Sequence, residues 1–339
     1  SYSFTLNRSE FTNMASSSSL PNLHPSHRAE VRIVTKASEL PAAFLAPSPS
    51  SKLVIGFDNE GVKLGRDGTL CVMQLAFDDA IYIVDAIEGE ESLIMKACKV
   101  ALESEHVTKV IHDCKRDSEA LYFQFGIRLN NVVDTQIAYS LIESQEQGNK
   151  VNDYISFVDL LADPRYCGVA YPEKEEVRLI LKRNTEFWRE RPLTEYKLNA
   201  AAADVRYLIH IYHKMMEKLS EKSLWYLAVR GGLYCRCFCG NAEDWPPLAP
   251  EVPEALKDEN GKGPEEERIW VLDIPARGWA REVIGDGGIT IRKLRKASVA
   301  EIHIVERPPD NKAFIIGTEK EAKKSMDMVR GVWERSQMS

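Results

Sequence analysis

A short apolar strand pattern that ends in two carboxylates constrains this chain more than any other feature. Residues Val54–Glu60 read Val-Ile-Gly-Phe-Asp-Asn-Glu, and the alternating run Leu70–Phe77 follows. Residues i and i+2 of a strand point to the same face of a sheet, so Asp58 and Glu60 are predicted to lie side by side. Adjacent carboxylates repel unless a cation lies between them, and oxygen ligands suit Mg²⁺ or Mn²⁺. The pattern predicts either a divalent-metal site or a solvated strand end.

Further carboxylates follow the next predicted strand. Val107–Ile111 has the composition of a buried strand, and the chain then leads into the apolar-periodic stretch Ala120–Phe125. Asp117 falls at the start of that predicted helix, where the positive end of the helix dipole favours an anion. Asp113, at the end of the strand, is the competing candidate.

Another candidate ligand lies in a long helical pattern, Leu193–Met216. The apolar face of this predicted helix includes Val205 and Leu208, and Asp204 lies where that face meets the polar one. From there a carboxylate can point into a cleft, although an ordinary surface residue is the commoner outcome for such a position.

Together, these segments resemble the ribonuclease D-like branch of the DEDD 3′–5′ exonucleases. The matching segments are Gly56–Gly61, Val110–Asp117, Val133–Ala138, Pro192–Thr194 and Ala201–Val205. The resemblance covers roughly Leu53 to Leu219. It implies an α/β, ribonuclease H-like 3′–5′ exonuclease fold, in which a mixed sheet is flanked by helices.

The resemblance also implies a site for two Mg²⁺ or Mn²⁺ ions. The four positions that it assigns to catalysis and to metal binding are Asp58, Glu60, Asp117 and Asp204. In that scheme Asp58 bridges both ions, and Asp117 serves the leaving-group side. Glu60 and Asp204 hold the ion that activates water.

One position departs from the family pattern. The family places a general base just before the last Asp, as a Tyr four residues upstream or a His five residues upstream, and here those positions are Ala200 and Asn199. Neither side chain is basic. Tyr196 lies two helical turns from Asp204, roughly 12 Å along the helix axis. Two alternatives stay open: a slow metal-dependent nuclease, which we favour slightly, or an inactive exonuclease fold that serves as an RNA-binding adaptor.

The C-terminal part of the chain has a second recognisable element order. The predicted elements are the strand Ile269–Ile274, the helices Trp279–Ile284 and Ile289–Ser298, the strands Ala300–Val305 and Ala313–Ile316, and the helix Glu319–Trp333. With a Gly-x-x-Gly loop between the two short helices, this order resembles a type I KH domain, a small α+β module, over about Arg268–Arg335. The glycines allow a tight turn and a close approach of the nucleic-acid backbone.

The KH resemblance implies contacts to single-stranded nucleic acid. The predicted contact residues are Gly285, Asp286, Gly287, Gly288, Arg281, Arg292 and Lys293. Many KH loops carry Lys or Arg between the glycines, whereas Asp286 puts a negative charge there, which the surrounding basic residues are expected to offset. The alternative for those basic residues is a solvated helix face. The pairing of modules favours single-stranded RNA as the partner, with DNA as the alternative. The combination of an exonuclease-like part and a KH-like part resembles plant exonuclease/KH-domain proteins and, more distantly, Egalitarian-like proteins.

Length and charge agree with two domains. A chain of 339 residues is long enough for about two domains, and its net charge of −7 restricts nucleic-acid contacts to local patches. No apolar run approaches the roughly 18–20 residues of a membrane span. The predicted division is an exonuclease-like domain over 31–230, a cysteine-containing segment and acidic linker over 231–267, and the KH domain over 268–335.

The remaining segments carry weaker expectations. Residues 1–30 are predicted to be a disordered tail. Within it, residues 1–13 precede Met14 and are set aside as vector-derived or upstream sequence. A targeting role for the Ser-rich remainder is the less favoured alternative. The run Cys235-Arg236-Cys237-Phe238-Cys239 is interpreted as an extended segment of buried thiols rather than a zinc site. Seven cysteines without a secretory signal predict a reducing compartment, the nucleus or the cytoplasm.

Overall fold

The computed structural model describes residues 29–87, 91–152, 154–240, 245, 249–274, 279–307 and 311–337. Contacts divide the chain into two units, of which the first comprises Ser1–Tyr139 with Ile155–Glu251 and the second Ser140–Tyr154 with Val252–Ser339. The first unit thus reaches residue 251, beyond the predicted boundary at residue 230. The predictions for residues 1–28 lie outside the described residues.

The first unit is built on a mixed six-stranded sheet, as predicted. Its strands are β1 (Glu30–Val34), β2 (Leu53–Val62), β3 (Thr69–Ala76), β4 (Ala80–Asp85), β5 (Val107–Ile111) and β6 (Val132–Asp134), in the order β1-β4-β3-β2-β5-β6. β2 pairs antiparallel with β3 and parallel with β5. Its central place in the sheet puts the predicted carboxylate pair inside the unit rather than at a sheet edge.

Nine α-helices are described before the second sheet begins. They are α1 (Ala42–Leu45), α2 (Glu91–Glu103), α3 (Lys115–Phe125), α4 (Thr135–Gln147), α5 (Phe157–Ala162), α6 (Glu173–Arg183), α7 (Glu195–Val205), α8 (Leu208–Lys218) and α9 (Glu221–Arg236). α3 follows β5, and both α7 and α8 pack on β2. The predicted metal ligands thus lie on three elements, β2, α3 and α7.

The prediction of one long helix over Leu193–Met216 was wrong. The structure has two helices, which are separated at Arg206 and Tyr207. The backbone comes very close to β2 at this break, because a Cβ added to Gly56 would lie 2.9 Å from the carbonyl oxygen of Val205. A straight continuation of α7 could not follow the sheet, whereas the break lets α7 contact β2, β3 and β4 and lets α8 contact β2 and β5.

The cysteine-rich run belongs to a helix end. The expected extended conformation was wrong, because α9 continues to Arg236 and a turn follows. The expected burial was right: Cys235, Cys237 and Cys239 are all at most 5% exposed. Trp245, the large apolar residue of the following acidic segment, packs against Tyr122 with ring centroids 5.4 Å apart. Part of that segment therefore packs on the first unit instead of extending from it.

The second unit has the predicted KH element order. Its elements are β7 (Arg268–Ile274), α10 (Trp279–Ile284), α11 (Ile289–Ser298), β8 (Glu301–Val305), β9 (Asn311–Gly317) and α12 (Glu319–Gln337). The strands form an antiparallel sheet in the order β7-β9-β8. Its apolar core includes Val283, Ile291, Ile302 and Ile315. In the part of the chain that the structure describes, no helix has both the length and the apolar character to cross a bilayer.

Candidate metal centre

Three of the predicted carboxylates converge at β2. One ligand oxygen from each of Asp58, Glu60 and Asp204 lies within 4.8 Å of the others. Asp58 and Glu60 reach this point because alternate residues of β2 face the same side of the sheet. Asp204 comes from the last turn of α7, directly before the close contact between Val205 and Gly56.

Asp117, the fourth predicted ligand, lies outside this cluster of three. Its Oδ1 accepts hydrogen bonds from the backbone N–H of Asn59, at 3.0 Å, and from the Asn59 Nδ2, at 3.1 Å. The Asp117 charge nevertheless contributes to raising the pKa of Asp58. Asn59 therefore holds the Asp117 carboxylate beside the cluster. The competing candidate Asp113 pairs with Lys115 instead.

Asp134 fixes the start of the helix that carries Asp117. Its two carboxylate oxygens accept hydrogen bonds from the backbone N–H groups of Asp113, at 3.0 Å, and Cys114, at 2.8 Å. Asp113 adopts a left-handed conformation, with φ of 66°, just before α3 begins. The Asp134-Thr135-Gln136 run, part of the matching segment Val133–Ala138, thus helps to position a predicted ligand.

The cluster concentrates negative charge in a partly buried place, where Asp204 is buried and Asp58 and Glu60 are half-buried. Burial raises the pKa of Asp58 well above its usual range, and Asp117 and Asp204 raise it further. Burial also raises the pKa of Glu60 to about 7 and that of Asp117 to about 8, against the opposing effects of Lys174 and Asn59, respectively. Carboxylates this close cannot all ionise without compensating positive charge.

A lysine that sequence reasoning missed supplies part of that charge. Lys174 Nζ lies 2.6 Å from both carboxylate oxygens of Asp204 and 3.5 Å from Glu60 Oε1. Burial disfavours the charged form of Lys174, but Asp204 and Glu60 outweigh this and raise its pKa. The side chain is therefore an ammonium at neutral pH, a fixed cation and not a base.

A tyrosine that sequence reasoning also missed lies near the vacant base position. The hydroxyl of Tyr171 donates to the carbonyl oxygen of Ala200 at 3.3 Å. Burial raises the pKa of Tyr171, and the charge of Asp204 adds to the effect, so the phenol keeps its proton. Tyr196, the tempting substitute in the sequence, is 39% exposed and packs against Phe187. Tyr171 is thus the tyrosine that lies next to the family's base position, and its hydroxyl acts there as a hydrogen-bond donor.

A weak sequence signal marks this missed segment. Pro172 precedes a first helical turn that contains Glu173, Glu175 and Glu176, as is typical of a helix start. Lys174 stands among them, where the helix dipole favours acids over bases. A lone base in an acidic first turn indicates a partner elsewhere in the fold, but it does not identify that partner.

The donor set fits a divalent cation. All three clustered groups are carboxylates, and hard oxygen donors of this kind are the usual ligands of Mg²⁺ and Mn²⁺. The close spacing of the three oxygens and the raised pKa values of Asp58 and Glu60 are what a pocket built for an added cation should show.

The Gly-x-x-Gly loop of the second unit has an open left-handed backbone. Gly285, Gly287 and Gly288 have φ values of 71°, 57° and 75°. A Cβ on Gly285 would lie 2.2 Å from Thr290 Oγ1, whereas one on Gly287 would meet no heavy atom within 4 Å. Gly285 is therefore required by packing, and Gly287 leaves a face open to a ligand.

The side chains around this loop are exposed. Asp286, Arg281, Arg292 and Lys293 all face solvent. Arg295, a further basic residue of α11, instead donates to the carbonyl oxygen of Ile302 at 2.6 and 3.0 Å and so belongs to the packing of the unit. The exposed basic residues of the predicted positive rim are therefore Arg281, Arg292, Lys293 and Lys296.

Comparisons with known proteins agree with both units. A family model described as 3′–5′ exonuclease matches residues 31–220, which is more than half of the chain, and a KH-domain model matches residues 269–331.

Two curated relatives are similar to somewhat less than half of the chain. The mouse piRNA biogenesis protein EXD1 is 31% identical over 172 residues, which cover 49% of this chain and 30% of that protein. The Caenorhabditis elegans Egalitarian protein homolog is 32% identical over 151 residues, covering 42% of this chain and 25% of that protein. The chain thus spans less than a third of the length of these relatives.

A solved structure shares the fold. The RNase D of Trypanosoma brucei, solved in complex with RNA U12, gives a TM-score of 0.53 at 19% identity, covering 67% of this chain and 75% of that chain. At this identity the likeness shows the fold alone.

Proposed function

Because the chain belongs to the 3′–5′ exonuclease family and carries a KH domain, we propose that it binds single-stranded RNA and shortens it slowly from the 3′ end with Mg²⁺ or Mn²⁺. The observation that carries this proposal is the cluster of Asp58, Glu60 and Asp204, with ligand oxygens within 4.8 Å of one another. Such a cluster is costly to the fold without a cation, because burial disfavours its charges.

The residues of the cluster have separate proposed roles in metal binding. Asp58, Glu60 and Asp204 would hold the metal, and Asn59 keeps the Asp117 carboxylate beside them. A bound divalent ion supplies charge stabilisation and acidifies water. The protein adds the buried setting, in which fixed charges act more strongly than in water.

Turnover is expected to be slow, because the two residues at the family's base positions cannot take up the proton of the attacking water. Ala200 and Asn199 occupy the positions of the family's base, and Lys174 and Tyr171 both keep their protons at neutral pH. Positioned acid–base catalysis contributes about 10²–10⁴-fold to enzymatic rates, so its loss leaves a weak enzyme instead of an inert one.

The KH domain is proposed to hold the substrate. Domains of this type clamp about four unpaired nucleotides through the Gly-x-x-Gly loop. The open backbone at Gly287 and the exposed Arg281, Arg292 and Lys293 support such a contact. Binding there raises the local concentration of RNA ends at the carboxylates, through the tether between the two units.

A second candidate function is a non-catalytic RNA-binding adaptor. The specific observation in its favour is the ion pair between Lys174 and Asp204, which already neutralises one predicted metal ligand. In that case the first unit provides a binding surface, and the carboxylates serve the fold.

A time course on single-stranded RNA labelled at the 3′ or the 5′ end separates the two candidates. With Mn²⁺ or Mg²⁺, the 5′-labelled RNA should shorten progressively while the 3′ label is released as mononucleotide, and EDTA should stop both. Asp58→Asn should abolish the reaction. The control is Asp79→Asn, which changes an exposed acid in the turn between β3 and β4 and should leave the reaction unchanged. RNA binding without any metal-dependent shortening would favour the adaptor.

A further inference from the structure

Lys174 contacts the two carboxylates that the family scheme assigns to a single ion. Its Nζ lies 2.6 Å from Oδ1 and Oδ2 of Asp204 and 3.5 Å from Glu60 Oε1. The positive charge therefore stands between two of the three clustered carboxylates, as a bound cation would.

The contact is partly buried and is fixed by the surrounding fold. The side chain of Lys174 is 20% exposed and that of Asp204 is 4% exposed. Lys174 lies in the first turn of α6, and the preceding Tyr171 is buried and bonded to Ala200 on α7. A pair anchored at both ends in this way differs from exposed ion pairs, which exchange readily with water and contribute little.

Charge balance also favours one ion over two. The three clustered carboxylates carry three negative charges, and the ammonium with one divalent ion carries three positive charges. A second divalent ion would leave an excess of positive charge even when Asp117 is counted. Excess charge of either sign is unfavourable in a buried site.

We propose that the Lys174 ammonium is a tethered cation that takes the place of one ion, so that this site binds a single divalent ion. The proposal rests on the metal site of the proposed function. The chain would then be a one-ion variant of a two-ion architecture.

The test is the stoichiometry of Mn²⁺ binding, measured by titration calorimetry on the full chain without RNA. The wild type is expected to bind one Mn²⁺ per chain. Lys174→Met removes the ammonium, keeps a side chain of similar length and should bind two. Lys182→Met, at the exposed end of the same helix, is the matched control and should bind one.

The possible outcomes are distinguishable. Two ions on the wild type would overturn the proposal whether or not Lys174→Met folds, and so would an unchanged single ion on a folded Lys174→Met. Lys174→Arg retains the positive charge and should keep the count at one. If neither the wild type nor Lys174→Met binds Mn²⁺, the metal site itself fails, and the proposed function fails with it.

Discussion

Replacing Gly56 by alanine tests how the fold brings the carboxylates together. Gly56 lies on β2, two residues before Asp58. An added Cβ would lie 2.9 Å from the carbonyl oxygen of Val205, 3.1 Å from the Cβ of Ala76 and 3.3 Å from the Cβ of Leu208. Two of these three atoms belong to α7 and α8, so the methyl group would push the helices away from the strand.

The expected loss of stability follows from two opposing effects. Overpacking a close contact costs about 1–3 kcal/mol, and the reduced backbone freedom of alanine returns about 0.5–1 kcal/mol. Gly56→Ala should therefore lower the free energy of unfolding by about 1 kcal/mol, the difference between the middles of these two ranges. Because Asp204 directly precedes Val205, the same displacement should also weaken Mn²⁺ binding.

Urea denaturation followed by tryptophan fluorescence measures the first effect, and calorimetry measures the second. Gly232→Ala is the control, since Gly232 lies in α9 and a Cβ there meets no heavy atom within 4 Å. Alanine is the better helix former by about 1 kcal/mol, so the control should be more stable than the wild type. A Gly56→Ala variant as stable as the wild type, with unchanged Mn²⁺ affinity, would refute the close packing of α7 on β2.

Three other substitutions give separate predictions. In Gly287→Asp the new side chain has room and puts a second carboxylate beside Asp286. Fluorescence anisotropy should therefore show weaker binding of single-stranded RNA, while the melting temperature of the protein stays unchanged. Equal binding at low salt would exclude the loop as the contact. Asp286→Lys should instead tighten RNA binding and steepen its salt dependence. His112 lies 2.8 Å from Thr135 Oγ1 and 3.0 Å from the carbonyl oxygen of Ile155, and burial lowers its pKa from 6.5 to about 4. The folded state therefore resists protonation of His112. The free energy of unfolding should fall by up to about 3 kcal/mol as the pH is lowered from 6.5 towards 4. Urea titrations of His112→Gln should show no such contribution to the pH dependence. Parallel profiles for the two proteins would contradict it.

The sequence predicted those features that depend on local periodicity. The side-by-side placement of Asp58 and Glu60 follows from strand alternation alone, and the six KH elements follow from the change between strand and helix patterns around a Gly-x-x-Gly loop. In these places local preference and tertiary packing agree.

The errors arose where tertiary contacts override the local pattern. The break at Arg206 and Tyr207 follows from the approach of Val205 to Gly56, which an unbroken apolar periodicity does not reveal. The run from Cys235 to Cys239 was too short for its period to separate strand from helix. Lys174 was missed for a related reason: its partners are distant in sequence, and only the fold brings them together.

If the acidic cluster at β2 is a divalent-metal site, removing one of its carboxylates should weaken Mn²⁺ binding, and calorimetric titration of Asp58→Ala measures this. Asp58 belongs to the cluster, whereas the ion pair with Lys174 is made by Asp204. Replacing Asp58 therefore removes one predicted ligand and leaves the Lys174–Asp204 ion pair in place. The wild type and the exposed control Asp79→Ala should both bind Mn²⁺ measurably, and Asp58→Ala should lose at least about tenfold in affinity, which corresponds to about 1.4 kcal/mol. Equal Mn²⁺ affinity in all three proteins would contradict it.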